Sequence, residues 1–177
     1  MKMATLLAAN LLLSILIANP APAVAQTRQI VAEIGMRLLL PTNWEWFRRD
    51  SNEIFINCSP EKTEGFACSL IITQRTLPAG QTAITDADRR QWRSWQLATS
   101  SSRIVSSRDV ILAGYPAYEI IGEDPLRSMR VFVLVAKTGR LYEIAFAAGT
   151  PANKNADYYR YKPAADAALQ TFAIVSE

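Results

Sequence analysis

The stretch RVFVLVAKTGRLYEIAFAA, Arg130–Ala148, decides the fold. Arg130 to Ala136 and Leu141 to Ala148 are nearly continuous apolar runs. Between them, Lys137-Thr138-Gly139-Arg140 reads as a hairpin turn with glycine where a positive φ is needed. Both runs have strand length and strand composition, and both are too apolar to leave a face in water. They are therefore read as central strands, buried on both faces or nearly so.

Working outward, Ile104 to Leu112 and Ala117 to Ile121 add two strands around the turn Gly114-Tyr115-Pro116. Near the N-terminal end, Met36, Leu38 and Leu40 alternate with Arg37 and Leu39 until Pro41 stops the strand, and Asn43-Trp44-Glu45-Trp46 leads into the next. Glu53 to Cys58 and Cys68 to Arg75 are two further strands, separated by the polar turn Ser59–Gly65. An antiparallel hairpin there brings Cys58 and Cys68 face to face, which predicts a disulfide if the compartment is oxidising. A metal pair would need a different spacing and further ligands, and a redox pair is more often C-x-x-C.

One long helix interrupts the strands. Thr85 is placed to cap it, and Asp88 three residues on answers from the first turn, a capping box with Asp in place of Glu or Gln. At 100° per residue Ile84, Ala87, Trp95 and Ala98 fall on one side with Trp92 at its edge, which predicts the buried face. Asp86, Arg89, Arg90 and Arg93 occupy the other side. The arginines offer contact to an acidic partner, but a solvated helical face is the more ordinary reading because Asp86 partly neutralises Arg90. A second helix is predicted from Pro163 to about Phe172, with Ala165, Leu169 and Phe172 toward the sheet. Strands, helix, strands and a helical end make an α+β chain without repeats or linkers.

The first residues carry an address. Lys2 precedes an apolar run from Leu6 to Ala18 that is shorter than the roughly 20 residues of a membrane span. Asn19, Pro20 and Pro22 then break it, and Ala23-Val24-Ala25 supplies small residues for signal peptidase. Residues 1–25 are therefore expected to be a cleaved export signal, not an uncleaved anchor, leaving one domain from Gln26 to Glu177. Periplasm, secretion and, in a photosynthetic host, the thylakoid lumen all fit such a signal. The first cysteine is Cys58, so no lipid anchor is expected.

The chain has 177 residues and a formal charge of +3, from 19 basic and 16 acidic side chains; losing Lys2 with the signal leaves 18 against 16, or +2. That balance does not point to nucleic acid. The absence of histidine removes imidazole catalysis and most zinc, copper and non-haem iron sites. Seven glycines spread singly leave no phosphate-binding loop or nucleophile elbow. Carboxylate chemistry remains: Glu119 and Glu143 inside strands, which would have to face one cleft as acid and base, and Glu123-Asp124 in a turn. No cofactor is implied. Tyr158-Tyr159-Arg160-Tyr161-Lys162 interleaves aromatic and basic residues. With Trp44 and Trp46 its tyrosines are the candidate lining of an apolar pocket, or else half-buried packing.

Three landmarks resemble the PsbP-like family of exported bacterial and thylakoid-lumen proteins. They are Met36-Arg37-Leu38-Leu39-Leu40-Pro41 with Trp44, then Gly114-Tyr115-Pro116-Ala117-Tyr118-Glu119, then Gly139-Arg140-Leu141-Tyr142, with Tyr161 to Phe172 similar to that family's closing helix. The resemblance implies an antiparallel sheet sandwiched between helices, an α/β/α sandwich. It also implies a non-enzymatic binding or assembly role toward an envelope or membrane-complex protein, since photosystem II accessory subunits and secretion chaperones belong to this group and a nuclear Ran-binding protein shares the fold. On that reading the partner meets a sheet face or the groove beside the long helix, with Arg89, Arg90, Trp92 and Arg93 as contacts. A small-molecule or lipid-binding module and a carboxylate-dependent hydrolase are the alternatives.

Overall fold

The computed structural model describes residues 27–32, 34–58, 67–96, 103–135, 139–149 and 154–175. The expected export signal, the turn Ser59–Gly65, and Lys137 and Thr138 of the second hairpin turn lie outside them. Along the chain the elements are β1 (Thr27–Ala32), β2 (Met36–Pro41), β3 (Glu45–Arg48), β4 (Glu53–Asn57), β5 (Cys68–Thr76), α1 (Asp86–Gln96) and β6 (Arg103–Leu112). They continue with β7 (Tyr115–Glu123), β8 (Ser128–Val135), β9 (Arg140–Ala148), α2 (Lys154–Leu169) and β10 (Ala173–Ile174). Seven strands form one sheet in the order β3-β4-β5-β9-β8-β7-β6, and β1-β2-β10 form a second. Every pairing is antiparallel.

The apolar hairpin stands where its composition predicts. β9 lies fourth of seven, paired with β5 on one side and β8 on the other. Alternation sends Tyr142, Ile144 and Phe146 into the large core under α2, while Leu141 and Ala145 join a smaller core with Ile84 and Trp92 on the α1 side. The two helices therefore flank the sheet, giving an α+β fold of α/β/α sandwich type. The small sheet shares the α2 face: Met36, Leu38 and Leu40 of β2 belong to the same core as Leu169 and Phe172.

A tyrosine fastens the two sheets together. Tyr142 donates its hydroxyl to the carbonyl of Ile34 at 2.8 Å and lies 3.0 Å from that of Gly35, in the turn between β1 and β2. Gly35 has φ +75°, a backbone that favours glycine, and a Cβ there would lie 2.5 Å from the Arg140 guanidinium, which would have to shift. Tyr115 does similar work at the other end, accepting from the Ile174 N–H at 3.2 Å and packing edge-on against Phe172. The turn before it is tighter than read from sequence. Ala113 and Gly114 alone form it, both at positive φ (49° and 89°), while Tyr115 and Pro116 already belong to β7.

Both helices depart from their expected outlines. α2 begins at Lys154, so Pro163 lies inside it and not in its first turn. The carbonyl deprived of a donor by Pro163 is that of Tyr159, an exposed residue, and water can take the bond. Tyr158 and Tyr161 are thereby helical, three residues apart on the buried face that continues through Ala165, Ala168 and Leu169. In α1 the capping box forms as read: the Asp88 N–H donates to Thr85 Oγ1 at 3.2 Å, and Asp88 Oδ2 accepts from the Thr85 N–H at 2.8 Å. Of the side read as buried, Ile84 and Trp92 meet the smaller core, while the side chain of Trp95 and all of Ala98 lie outside the described residues. Ala87 is exposed, whereas Arg89 and Trp92 are partly covered.

Cys58 and Cys68 form the expected disulfide, their Cα atoms 5.1 Å apart, at the end of the β4–β5 pairing. Replacing both by serine should lower the unfolding free energy by about 2–3 kcal/mol, read from urea denaturation; an unchanged midpoint would show the crosslink to be dispensable.

Candidate functional site

α1 meets the sheet through arginines. Arg89 bonds Asp86 on its own helix and Asp109 on β6, each at 2.9 Å, and its guanidinium lies 5.5 Å from the ring centre of Tyr118 on β7. Arg93 donates through Nε to the Tyr118 hydroxyl at 2.9 Å and to Ser107 Oγ at 3.1 Å. The edge strand thus offers a hydroxyl and a carboxylate where helix periodicity predicts water, which is why these two arginines turn inward. Arg89 Nε remains buried without a hydrogen-bond partner among the described residues. Arg90, one residue on, is exposed and has no ion pair among them.

Between α1 and the β6–β7 edge this docking leaves a cleft with two lobes. The polar lobe, about 400 Å³, is bounded by Asp86, Arg89, Arg90, Arg93, Ser107 and Tyr118. The apolar lobe, about 520 Å³, is bounded chiefly by Ile84, Val110, Ile111, Pro116 and Ala117, with Arg89 and Asp109 common to both. Arg108 borders the polar lobe, but its guanidinium goes to Glu119 on the opposite face of the sheet.

Glu119 is fully buried there, clasped by Arg108 at 2.7 Å and by Arg130, which also bonds Asp166 of α2; Lys162 completes the chain of charges. Burial opposes ionisation of Glu119, but hydrogen bonds from Arg108 and Arg130, with their charges, outweigh it and hold the carboxyl below the ordinary glutamate range. A third cavity, about 240 Å³, opens beside this network, bounded by Arg108, Leu112, Arg130, Phe132, Asp166 and Leu169 among others.

Glu143 has the contrary environment. It is 7 % exposed, on the α1 side of β9, in a cross-strand row that runs Glu53, Thr73, Glu143, Val133, Tyr118, Asp109. Burial pushes its carboxyl above the ordinary range; the charge of Arg75 opposes this in part and that of Glu53 adds to it. Glu119 and Glu143 therefore lie on opposite faces of the sheet. They cannot act as acid and base on one substrate, which corrects the pairing considered from sequence. Glu123 bonds Arg103, and Asp124 bonds Arg127 and caps the turn N–H groups of Leu126 and Arg127. Among the described residues no group of three or more His, Cys, Asp or Glu is placed to hold a metal.

The five aromatic candidates are dispersed. Trp44, Tyr158 and Tyr161 are core residues; Tyr159 is 70 % exposed and Trp46 half-exposed at edge strand β3. Of the helical candidates, Arg89, Arg90 and Arg93 converge on the polar lobe, while Trp92 packs into the smaller core. Sequence reading missed Ser107, Asp109 and Tyr118, whose strand alternation could have placed them on one face but not beneath α1.

No protein-family model matches the chain, and no curated protein matches it. Among solved structures it is similar to PA94 of Pseudomonas aeruginosa, a protein of unknown function, with TM-score 0.55 and 15 % identity over 85 % of this chain and 99 % of that one. It is likewise similar to LpqN of Mycobacterium tuberculosis, involved in cell envelope biogenesis, with TM-score 0.53 and 14 % identity over 85 % and 91 %. The shared feature is the fold, an α/β sandwich. No described helix is long and apolar enough to cross a membrane.

Two variants test the carboxylates. Glu119→Gln should cost about 3 kcal/mol at neutral pH, because Arg130 loses a buried partner. Glu119 contributes stability above the ordinary glutamate pKa and loses it as pH falls through its lower folded value, so the deficit should shrink in acid. Glu143→Gln should behave oppositely. Folded Glu143 keeps its proton where the unfolded chain has lost it, so wild-type stability falls as pH rises through the raised value. The variant should gain relative to wild type as pH rises above the ordinary glutamate range, measured by thermal melts; parallel pH profiles would refute the assignment.

Proposed function

We propose that this chain is an exported, non-enzymatic accessory protein of the PsbP-like type, a single domain from Gln26 to Glu177. On this reading it binds an acidic segment of an envelope or membrane-complex protein in the cleft between α1 and β6–β7. The observation that carries the proposal is the cleft itself: three arginines from two consecutive turns of α1 line one lobe, one of them unpaired among the described residues, beside an apolar lobe formed by Ile84, Val110, Ile111, Pro116 and Ala117. A charged anchor next to an apolar floor suits a peptide segment better than a solvated surface. The disulfide agrees with an oxidising compartment, as export would provide. The opposed placement of Glu119 and Glu143 supports binding over carboxylate-dependent hydrolysis.

A small apolar ligand is the second reading, favoured by the size of the apolar lobe, about 520 Å³, which falls in the range of small-molecule sites. It predicts a ligand carried through purification and seen by native mass spectrometry.

The test of the first reading is capture from the host envelope by the tagged, disulfide-bonded protein, compared with Arg90→Glu. Arg90 is exposed, so the variant should fold normally while the specific capture drops about tenfold, which corresponds to 1.4 kcal/mol, and weakens with added salt. Capture that is indifferent to Arg90→Glu and to salt would remove the cleft from consideration.

A further inference from the structure

We infer that the partner enters as an extended acidic segment that pairs with the free edge of β6, adding an eighth strand to the seven-stranded sheet. This rests on the reading of the α1 cleft as a binding site and specifies the partner's conformation.

Among the described strands none lies beyond β6. The opposite edge, β3, has four residues; β6 has ten and carries neither proline nor lysine, the usual guards of an exposed edge. A bulge at Val105 interrupts its start, after which the register from Ser106 to Leu112 is unbroken. The two-residue turn at Ala113-Gly114 makes Leu112 and Tyr115 a hydrogen-bonded pair. Pairs then alternate, so Ile111, Asp109 and Ser107 turn their N–H and C=O groups outward. Pro116 sits opposite Ile111, in a non-hydrogen-bonded pair, where its missing N–H leaves no gap in the β6–β7 ladder.

All three cavities open along this edge. Asp109, Val110 and Ile111 border the apolar lobe of the α1 cleft, Ser107 to Asp109 the polar lobe, and Arg108 with Val110 to Leu112 the cavity on the α2 side. A strand laid against β6 points successive side chains to alternate faces, into the α1 cleft and the α2 cavity in turn. Cations are in excess on both sides. Arg89, Arg90 and Arg93 face Asp86 and Asp109; Arg108, Arg130 and Lys162 surround Glu119 and Asp166. An acidic segment matches that excess. A second copy would set cationic edge against cationic edge.

The probe is a capped ten-residue peptide alternating glutamate and valine, titrated into the purified disulfide-bonded protein. Ile111→Thr keeps the outward N–H and reports the side chain's own share of binding, while Ile111→Pro, which also removes that donor, should bind at least about tenfold more weakly than Ile111→Thr. Amide exchange at Asp109 and Ile111 should slow on binding, a measurement on wild type that stands even where Ile111→Pro fails to fold. Binding that Ile111→Pro and exchange leave untouched, yet Arg90→Glu weakens, would overturn strand addition and leave the cleft reading in place. No binding up to about 1 mM would overturn the strand partner, with the envelope capture still deciding the cleft. A free protein that sediments as a dimer and becomes monomeric on Ile111→Pro would assign the edge to a second copy and overturn the proposal.

Discussion

Burial of β9 on both faces is the constraint from which the rest of the architecture follows. A strand bearing Tyr142, Ile144 and Phe146 on one side and Leu141 and Ala145 on the other needs cover twice. Each large side chain removed from water contributes roughly 1.5–3 kcal/mol. The α2 side is closed thoroughly, by α2 and the small sheet together, and its core residues on β4, β5 and β9 are at most about one per cent exposed. The α1 side is closed more sparingly. α1 brings few apolar residues and is held instead by Arg89 and Arg93, leaving clefts where the other face has packed side chains.

That asymmetry separates structure from function in the charged residues. On the α2 side Glu119, Arg130 and Asp166 are fastened to one another across β7, β8 and α2, so the loss of any one weakens a partly buried network. On the α1 side the ion pairs are more exposed, so each contributes modestly to stability. Their larger effect is geometric: they hold α1 away from the sheet edge and keep guanidinium groups at the mouth of the gap. The fold supplies the scaffold, and the cleft chemistry belongs to this sequence.

Much of the scaffold was legible because it is local. The alternation Met36, Leu38, Leu40, the two apolar runs of the β8–β9 hairpin, the Thr85–Asp88 cap and the short loop between Cys58 and Cys68 all act between near neighbours. The start of α2 was not legible. Pro163 ordinarily marks a first helical turn, and only its solvent-facing position inside a packed helix makes an interior proline tolerable. Tyr158 and Tyr161 read from the sequence as lying before the helix, whereas they sit inside it as the packing residues that their alternative reading expects.

The sequence by itself determined the strand-rich α+β class, the central hairpin, the cysteine pairing and the absence of imidazole chemistry, since these depend on residue type and short spacing. Tertiary structure alone decided which way the charges face. Glu119 and Glu143 look alike along the chain, yet the pleat and strand order send one into a clasp of two arginines and bury the other without a salt bridge among the described residues. Arg89 and Arg93 read as solvated until β6 supplies Asp109 and Ser107 beneath them. A side chain's charge is fixed by its covalent structure, but its partners come from strands distant in sequence, and those are known only once the sheet has formed.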